Sequence, residues 1–459
     1  MDLKDQSVLV IGYGKTGQAS VNFLLSRGAR VFLWDDGERG RRDARFAFAG
    51  TGFDSLRFLD RPLLPGAVDL IVPSPGVPPF HPLLVEGSGK GIPIRSELEI
   101  ASRFIQKPIV AITGTNGKTT TTGLLGELLA GGGRKAFVGG NIGTPLVEYA
   151  RHPGDEAFLV VEVSSFQLQW VETFHPHVAL LLNVTPDHLD YHGTLAAYRA
   201  VKERIFENQE KEDLAVLNGD DPGTSILKKK LKPAVRLFSS RKPVTEGVYV
   251  DGPVLRTVGG PGDGETYPLS AIALQGLHNL ENVMAALLAA RWCAVTREEI
   301  LPVLSAFRGM PHRVAFVAEK GGISFYDDSK GTNAGAVARA LDMFPPSVIL
   351  LMGGRDKGGE FGELAAAIRE KVKLLVLFGE AREGIGRQLS HVVETRQAAS
   401  LEEAAVTAWK SGTAGDVVLL SPGCASFDAF ADYGERGRHF QALVDRFYIG
   451  EKGEKEVGP

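Results

Sequence analysis

Residues 109–129 read IVAITGTNGKTTTTGLLGELL and have the features of a phosphate-binding loop between a strand and a helix. An apolar run comes first, a glycine turn follows, and Gly117, Lys118 and Thr119 precede an apolar helical pattern. Backbone N–H groups at the start of a helix attract an anion, and the positive end of the helix dipole adds to that attraction. Lys118 supplies a full charge, and the Thr119 hydroxyl can bind Mg²⁺. The stretch therefore predicts an ATP site.

The loop departs from the general phosphate-loop pattern at one position. That pattern has a glycine five residues before Gly117, where this chain has Ile112. The first glycine comes late, at Gly114, so the loop is shorter. The alternative is a chance Gly-Lys-Thr at an ordinary strand-to-helix turn, but the flanking strand and helix patterns favour phosphate binding.

Length, composition and charge limit the class of protein. The 459 residues are enough for about three domains, and a content of 44% hydrophobic and 23% charged residues is typical of a soluble globular chain. A net charge of −4 gives no electrostatic argument for binding nucleic acid or an anionic membrane surface. Cys293 and Cys424 fit neither a metal spacing nor a disulfide framework, and the N-terminus lacks the layout of a signal peptide. We expect a cytoplasmic monomer that binds neither nucleic acid nor membrane.

The N-terminal region has the pattern of a dinucleotide-binding unit. A buried-strand run, Val8–Ile11, is followed by glycines in Gly12–Gly17, a helical pattern, and a second strand, Val31–Trp34, which ends before Asp35. This geometry requires only a diphosphate at a helix N-terminus and a ribose near the acid. A nicotinamide dinucleotide and a UDP-linked substrate both meet that requirement.

A further predicted strand, Val68–Val72, runs into the loop that contains Ser74, Pro75 and Gly76. Ligands of α/β sheets bind at the carboxyl ends of strands, so this loop is a candidate ligand contact. A plain proline-rich turn explains the same residues equally well.

Two strands of the central region end in polar residues. Phe158–Val163 carries Glu162 near its end, and a carboxylate there, close to a phosphate loop, is a usual Mg²⁺ ligand. Val178–Val184 leads into Thr185–His192, where carboxylates and histidines, His188 among them, favour metal or phosphate contact over a capped loop.

Two further residues of this region look unremarkable by pattern alone. Lys202 lies on a predicted helix, where periodicity indicates a surface lysine. Asn279 stands before an alanine-rich helix and would make a good N-cap.

The third region repeats the doubly wound pattern. Strands at Val348–Met352, Leu374–Phe378 and Val417–Leu420 alternate with amphipathic helices. Loops after strands carry cations and hydroxyls that suit an anionic ligand, although isolated turns of this kind mean little: Lys330, Thr332, Lys357 and Ser426. The tail from Gly450, rich in Gly, Lys and Glu, is predicted to be disordered.

Four motifs together resemble the Mur ligases, which build the peptide stem of peptidoglycan. They are GTNGKTT at 114–120, EVSSFQ at 162–167, NVTPDH at 183–188 and DDSKGTN at 327–333. Their order and spacing match that family across nearly the whole chain, and the late first glycine of the phosphate loop is the family's form. The resemblance implies an α/β fold of three domains: a Rossmann-like UDP-substrate domain (1–97), a central P-loop ATPase-like domain with a parallel sheet (98–309), and a Rossmann-like amino-acid-binding domain (310–459).

Within the family, the chain is most similar to the members that add D-glutamate to UDP-N-acetylmuramoyl-L-alanine. Residues 162–168, and residues 420–430 leading to Arg436-Gly437, carry that likeness. The Asp-Asn-Pro-Arg motif of the relatives that add diaminopimelate or lysine does not occur, and Asp36-Gly37 stands where some members have Thr-Arg against the uridine. A sibling ligase or a folylpolyglutamate synthetase that adds another amino acid is the alternative, since a dehydrogenase would leave Lys118 and Glu162 unused.

The resemblance implies an ADP-forming amide ligase that works through an acyl phosphate, with ATP and two Mg²⁺ ions. It implies catalytic or metal-binding roles for Lys118, Thr119, Glu162, His188 and a carbamylated Lys202. The implied ATP contacts are Gly114, Thr115, Asn116, Gly117, Lys118, Thr119, Thr120, Asn279, Asn282, Arg313 and Asp328. The implied UDP-substrate contacts are Gly14, Thr16, Asp35, Ser74, Pro75, Gly76 and Asn141, and the implied D-glutamate contacts are Lys330, Thr332, Lys357, Ser426 and Tyr433.

Overall fold

The computed structural model describes residues 1–48, 55–274, 276–356, 360–450 and 454–458. It divides into two compact units, the first made of Met1–Ile272 and Glu281–Ala306, the second of Ala273–Leu280 and Phe307–Pro459. No helix among the described residues combines the length and the apolar character needed to cross a membrane.

The first unit contains two sheets. Its strands are β1 (Ser7–Ile11), β2 (Arg30–Trp34), β3 (Leu56–Phe58), β4 (Leu70–Pro73), β5 (Ile109–Thr113), β6 (Ala136–Gly140), β7 (Phe158–Glu162), β8 (Val178–Leu181), β9 (Leu214–Asn218), β10 (Ala234–Ser239), β11 (Gly247–Asp251), β12 (Val254–Val258) and β13 (Thr266–Pro268). The order β3-β2-β1-β4 forms a parallel sheet, and the order β13-β12-β11-β10-β9-β8-β5-β7-β6 forms a nine-stranded sheet. The nine-stranded sheet is parallel from β6 to β11 and antiparallel at β12 and β13.

Helices connect these strands. They are α1 (Lys15–Ser26), α2 (Glu38–Ala47), α3 (Pro82–Gly89), α4 (Glu97–Ser102), α5 (Lys118–Gly131), α6 (Leu146–Arg151), α7 (Ser165–Leu168), α8 (Leu189–His192), α9 (Leu195–Glu203), α10 (Thr224–Lys228), α11 (Leu277–Trp292) and α12 (Arg297–Ala306), with 3-10 turns at Arg204–Phe206 and Leu269–Ala271. Contacts of α6 with both α1 and α4 extend one buried apolar cluster from the first sheet to the second.

The second unit has a six-stranded sheet and a hairpin. Its strands are β14 (Ala315–Lys320), β15 (Ile323–Asp327), β16 (Val348–Gly353), β17 (Val372–Phe378), β18 (Thr395–Gln397), β19 (Val417–Gly423), β20 (Phe447–Ile449) and β21 (Lys455–Val457). The helices are α13 (Ala334–Asp342), α14 (Ala365–Lys371), α15 (Arg382–Leu389), α16 (Leu401–Ser411) and α17 (Tyr433–Asp445), with a 3-10 turn at Phe361–Leu364. The sheet order is β14-β15-β19-β16-β17-β18, parallel except for β14, and β20 pairs with β21.

Continuous apolar runs mark the central parallel strands. Every residue of β5 and of β16 is buried. Parallel strands are covered on both faces, so their sequences are apolar throughout rather than alternating. The strands predicted from such runs are confirmed as β1, β2, β4, β5, β7, β8, β16, β17 and β19, with ends that differ by a few residues. The α/β fold class predicted from them is confirmed.

The predicted disorder of the tail is wrong for the residues described there. Lys455–Val457 pairs antiparallel with Phe447–Ile449, and the buried Trp409 donates from Nε1 to the Glu456 oxygen at 3.1 Å. The Lys455 ammonium lies 5.0 Å from the centre of the Trp409 ring. Composition suggested disorder because the tail has few apolar residues, but it covers an aromatic side chain supplied by α16.

The N-cap interpretation of Asn279 is also wrong. Helix α11 begins at Leu277, and the Leu280 N–H bonds to the Gly276 oxygen at 3.0 Å, so Asn279 lies inside the first turn. Its side chain is buried, with 8% exposure. An N-cap side chain belongs to the residue before the first helical residue, so capping does not account for the burial of Asn279 inside the first turn.

Candidate active site

The order of the strands in the nine-stranded sheet explains how the central motifs come together. β6, β7, β5 and β8 are neighbours, and all four are parallel. Their carboxyl ends therefore meet at one edge, where Asn141, Glu162, the 114–119 loop and Asn183 follow the four strands in that order. The sequence pattern predicted a phosphate loop after β5 and polar residues at the ends of β7 and β8, the family resemblance added Asn141, and the sheet order makes them adjacent.

The phosphate loop depends on glycine at Gly117. This residue has φ +87°, in the left-handed region, and forms the N-cap of α5. A Cβ at this position would lie 2.1 Å from Oδ1 of Asn282, so a side chain has no room there. The predicted strand, glycine turn and helix are thus present, and the buried Asn282 side chain packs directly against the turn.

The Asn183 side chain fixes the shape of this loop. Its Oδ1 accepts from Asn116 N at 2.9 Å and its Nδ2 donates to the Asn116 oxygen at 3.0 Å. Thr115 Oγ1 donates to the Thr185 oxygen at 3.1 Å and accepts from Thr185 N at 3.0 Å. Neither Asn183 nor Thr185 was assigned a role from the sequence, although both lie in the 183–188 motif.

Glu162 joins the end of β7 to the phosphate loop. Its Oε2 accepts from Thr119 Oγ1 at 2.7 Å, and its Oε1 accepts from Asn141 Nδ2 at 3.0 Å. The carboxylate is buried, with 2% exposure of the residue. Asn141, predicted on the UDP-substrate side, thus contacts the residue predicted to bind metal.

Lys118 and Lys202 converge on one carbonyl. Lys118 Nζ donates to the oxygens of Gly114 and Thr115 at 2.8 and 2.9 Å, and Lys202 Nζ donates to the Gly114 oxygen at 2.9 Å. The surface position inferred for Lys202 from periodicity is wrong, since the residue is only 1% exposed and its ammonium lies 4.6 Å from the centre of the Tyr198 ring. Burial, and then the charge of Lys118, lower the pKa of Lys202 well below its usual range.

His188 follows β8 in a left-handed conformation, with φ 54° and ψ 33°. Its ring lies edge-on to Phe166, with 4.7 Å between ring centroids, and Phe166 belongs to α7, directly after Glu162. Nε2 of His188 is 3.7 Å from the Asp187 carboxylate. The loop after β8 and the helix after β7 are therefore packed together through aromatic rings.

The donors at this edge suit a magnesium ion. Mg²⁺ takes oxygen ligands, keeps several waters, and is usually held through one or two carboxylates together with substrate phosphates. Thr119 Oγ1 and the Glu162 carboxylate supply such oxygens beside a phosphate loop. In the described part of the chain, no three or more His, Cys, Asp or Glu side chains form a group that could hold a metal ion. The residues thus fit an ion shared with a nucleotide rather than a site built from protein ligands alone.

The glycine loop of the first sheet is held by the acid that follows β2. The Asp35 carboxylate accepts from Tyr13 N at 2.6 Å and from Gly37 N at 2.8 Å. Ser74 Oγ, after β4, donates to the Gly12 oxygen at 3.0 Å. Asp35 and Ser74 were predicted to contact a substrate, and here both shape the loop.

Gly14, Pro75 and Gly76 lie in the same two loops, and Thr16 lies in the first turn of α1. Tyr191, which follows β8, donates from its hydroxyl to the Val77 oxygen at 3.4 Å. A hydrogen bond therefore joins the loop after β4 to the segment that carries His188.

Glu97 is a buried carboxyl that the sequence did not suggest. It begins α4, accepts from Val147 N at 2.5 Å at the start of α6, and accepts from Gln167 Nε2 at 3.4 Å. Gln167 completes a capping box with Ser164 at the start of α7. Glu97 thus connects two helices that follow Asn141 and Glu162. Burial raises its pKa to about 7.

This raised pKa predicts a pH dependence of stability. Folding raises the pKa of Glu97 from its usual value of 4.5 to about 7, so between these values the folded state binds more protons and stability should fall as the pH rises. Between about pH 5 and about pH 8, the free energy of unfolding should fall by roughly 1–3 kcal/mol less in Glu97→Gln than in the unaltered protein. Urea unfolding at both pH values measures this difference. Glu86→Gln, which alters an exposed pair with Lys90, is the control. Equal slopes for Glu97→Gln and the unaltered protein would contradict the expectation.

The second unit gathers another polar group at the carboxyl ends of β15, β19 and β16, which are neighbours in its sheet. Asp328 follows β15 and accepts from Ser421 Oγ at 2.7 Å. Burial raises its pKa to about 7, although that hydrogen bond and the charge of Arg313 act to lower it. Burial, with Arg339 and Arg313 nearby, lowers the pKa of His278 to about 4.

The candidate amino-acid contacts lie at the same edge of this sheet. The Lys330 ammonium lies 4.9 Å from the centre of the Tyr433 ring, and Ser426 is buried, with 2% exposure. Thr332 is half-buried in the loop after β15. Lys357 lies outside the described residues. The loop after β15 and the start of α17 are thus brought together at Lys330 and Tyr433.

Family models match three parts of the chain. Residues 6–96 match the MurD-like N-terminal domain of Mur ligases, residues 112–290 match the Mur ligase middle domain, and residues 312–424 match the glutamate ligase domain of Mur ligases.

Two curated relatives are similar over nearly the full length. The UDP-N-acetylmuramoylalanine–D-glutamate ligase of Syntrophus aciditrophicus (strain SB) is 54% identical over 449 residues, which cover 97% of this chain and 99% of the relative. The protein of the same name from Geotalea daltonii is 42% identical over 453 residues, which cover 97% and 98%.

Solved structures of lower identity share the fold. The UDP-N-acetylmuramate-alanine ligase MurC of Thermotoga maritima has a TM-score of 0.60 at 20% identity and covers 96% of this chain and 99% of its own. The MurF ligase of Thermotoga maritima in complex with ADP has a TM-score of 0.61 at 19% identity and covers 96% of each chain. The family models and the relative at 54% identity show that the chain belongs to the Mur ligase family.

Proposed function

We propose that the protein is an ADP-forming ligase that joins D-glutamate to UDP-N-acetylmuramoyl-L-alanine in peptidoglycan precursor synthesis. The observation that carries the proposal is the contact of Thr119 and Glu162 beside the Lys118 loop. This arrangement suits phosphoryl transfer from ATP. The 54% identity with a relative named for this activity supports the choice of both substrates.

In the first step, a carboxylate oxygen of the UDP-linked substrate attacks the γ-phosphorus of ATP, ADP leaves, and an acyl phosphate forms. Two anions must approach each other, so the charge between them has to be neutralised. Lys118 supplies one cation at the loop, and the N–H groups at the start of α5 point toward the same region. Two Mg²⁺ ions would neutralise phosphate charge: Thr119 would hold the one bound to the nucleotide, and Glu162, His188 and a carbamylated Lys202 would hold the other.

In the second step, the amine of D-glutamate attacks the acyl carbon. The new C–N bond replaces the acyl C–O bond, inorganic phosphate leaves, and the amine loses a proton. The chain contributes binding and orientation here. We assign one carboxylate of D-glutamate to Lys357 and Thr332 and the other to Ser426 and the Tyr433 region, with Lys330 as a further contact of the amino acid. Each carboxylate needs a donor or a cation where water is excluded.

The remaining assignments complete this proposal. Asn279, Asn282, Arg313 and Asp328 contact the nucleotide, together with residues 114–120. Gly14, Thr16, Asp35, Ser74, Pro75, Gly76 and Asn141 contact the UDP-substrate. We further propose domains at 1–97, 98–309 and 310–459, two Mg²⁺ ions, and a monomeric, cytoplasmic enzyme. Asn141 connects the proposed UDP-substrate site to the proposed metal site, because its side-chain amide donates a hydrogen bond to the Glu162 carboxylate.

A phosphate-release assay tests the function. The enzyme, with ATP, Mg²⁺ and UDP-N-acetylmuramoyl-L-alanine, is given D-glutamate, L-glutamate or a panel of other amino acids. We expect release with D-glutamate and little with L-glutamate, because pinning both carboxylates of the L-isomer turns its amine away from the acyl phosphate. Omission of the UDP-substrate is the control and should abolish release. Preferred turnover of another amino acid would favour a sibling ligase or a folylpolyglutamate synthetase.

A further inference from the structure

Arg436 lies on α17 in the second unit, and its side chain is fully buried. A guanidinium has five N–H groups in a fixed plane. Here each has a protein acceptor: Nε donates to Ser329 Oγ at 2.9 Å, Nη1 to the oxygens of Gly353 and Ala425 at 3.4 and 3.2 Å, and Nη2 to the oxygens of Ser329 and Cys424 at 2.7 and 3.1 Å. The side chain is therefore fixed at every polar atom.

These acceptors belong to three different segments. Ser329 follows β15, Gly353 ends β16, and Cys424 and Ala425 follow β19. The segments after β15 and β19 continue to Lys330 and Thr332 and to Ser426. We propose that Arg436 is a positioning residue that sets the spacing of the loops that bind D-glutamate. This inference rests on the proposed function and names a residue that holds its amino-acid site in shape.

A second contact extends this arrangement to Tyr433. Ser329 Oγ, which accepts from Arg436, donates to the Tyr433 oxygen at 2.8 Å. The Lys330 ammonium then lies against the Tyr433 ring. The Arg436–Ser329 pair therefore fixes both the loop that carries Lys330 and the first residue of α17.

Gly437 explains why α17 can come so close. A Cβ at this residue would lie 2.1 Å from His312 Nδ1 and 2.7 Å from Asp327 Oδ2. His312 Nδ1 and Asp327 Oδ2 are themselves 2.6 Å apart. Only a residue without a side chain allows the helix to pack against this pair and bring Arg436 under the three loops.

The chemistry of the contacts explains why arginine is required. All five acceptors are backbone or hydroxyl oxygens, which are spread around the guanidinium plane. A lysine ammonium has three donors on a single atom, so it cannot satisfy all five acceptors around this plane. Burial lowers the pKa of Arg436 to about 10, which leaves the side chain charged at neutral pH.

Arg436→Lys tests the inference through steady-state kinetics. We expect the KM for D-glutamate to rise at least about tenfold, because the loops lose their fixed spacing. The KM for UDP-N-acetylmuramoyl-L-alanine should stay within about twofold of normal, since its proposed contacts lie in the first unit. Arg438→Lys makes the same change at an exposed position of the same helix and should leave both constants unchanged.

Ser329→Ala is a second variant that removes one oxygen and leaves Arg436 in place. It should raise the KM for D-glutamate about threefold or more. Circular dichroism gives the thermal unfolding midpoint of both variants, which reports any loss of stability. A purely structural role would instead lower the midpoint and kcat and leave this KM unchanged in both variants, which would overturn the inference. If Arg436→Lys does not fold, an unchanged KM in Ser329→Ala alone overturns it. Absence of D-glutamate turnover in the unaltered enzyme would contradict the proposed function, and the inference with it.

Discussion

Lys118→Ala should lower kcat/KM at least about a hundredfold, because one cation placed where negative charge develops is worth roughly 2–4 kcal/mol in a site without water. The ammonium already lies at the loop, bonded to the oxygens of Gly114 and Thr115. Lys118 is the first residue of α5, so its charge lies at the helix N-terminus, where a phosphate would bind. The measurement is ADP formation in the presence of both other substrates.

Lys135→Ala is the matched control for this variant. Lys135 is an exposed lysine of the same unit, paired with Asp155, and exposed pairs contribute little to stability. It should keep normal turnover and a normal thermal midpoint. Turnover of Lys118→Ala at the rate of this control, or AMP as the product, would contradict the ligase mechanism.

Lys202→Ala should be nearly inactive, with a fall of at least about a hundredfold in kcat/KM. The amine is buried, donates to the Gly114 oxygen at 2.9 Å, and lies near the charge of Lys118. The unprotonated form of a lysine amine can add CO₂, which forms an N–C bond and releases a proton, and the lowered pKa of Lys202 favours that form. The carbamate would be an anionic oxygen donor, whereas an ammonium would repel a metal ion.

Rescue separates the carbamate from a simple packing role. Acetate or a similar short carboxylic acid should restore part of the activity of Lys202→Ala and none of the activity of Lys118→Ala. Carbon-13 NMR of the unaltered enzyme in labelled bicarbonate should show one carbamate signal that is lost in Lys202→Ala. Full activity of Lys202→Ala would end this assignment, and failure of rescue together with no carbamate signal would do the same.

The central strands and the loops that follow them could be read from the chain itself. Apolar runs such as Val8–Ile11 and Ile109–Thr113 are covered on both faces, so their burial is visible as uninterrupted apolar sequence. The Gly117-Lys118-Thr119 turn was visible for a related reason. A left-handed backbone favours glycine, and the cation of the phosphate loop is the next residue, so both features of the turn are visible in adjacent residues at Gly117 and Lys118.

Other features could not be read, because local sequence does not encode them. Lys202 has the periodicity of a surface lysine, yet it is buried through the approach of a loop 88 residues away. The tail after Gly450 has a disordered composition, yet it covers Trp409. Asn183 fixes the phosphate loop across 67 residues. In each case the deciding partner is distant in sequence, so pattern analysis has no access to it.

The sequence by itself determined the alternation of strands and helices, the phosphate loop and the family, since these depend on periodicity and on short motifs. The tertiary structure decided which loops meet. The order β6-β7-β5-β8 places Asn141 and Thr119 on either side of Glu162, and the order β15-β19-β16 places three loops around Arg436. Strand order is a property of long-range pairing, whose free energy is shared among many distant residues rather than held by any single stretch of the chain.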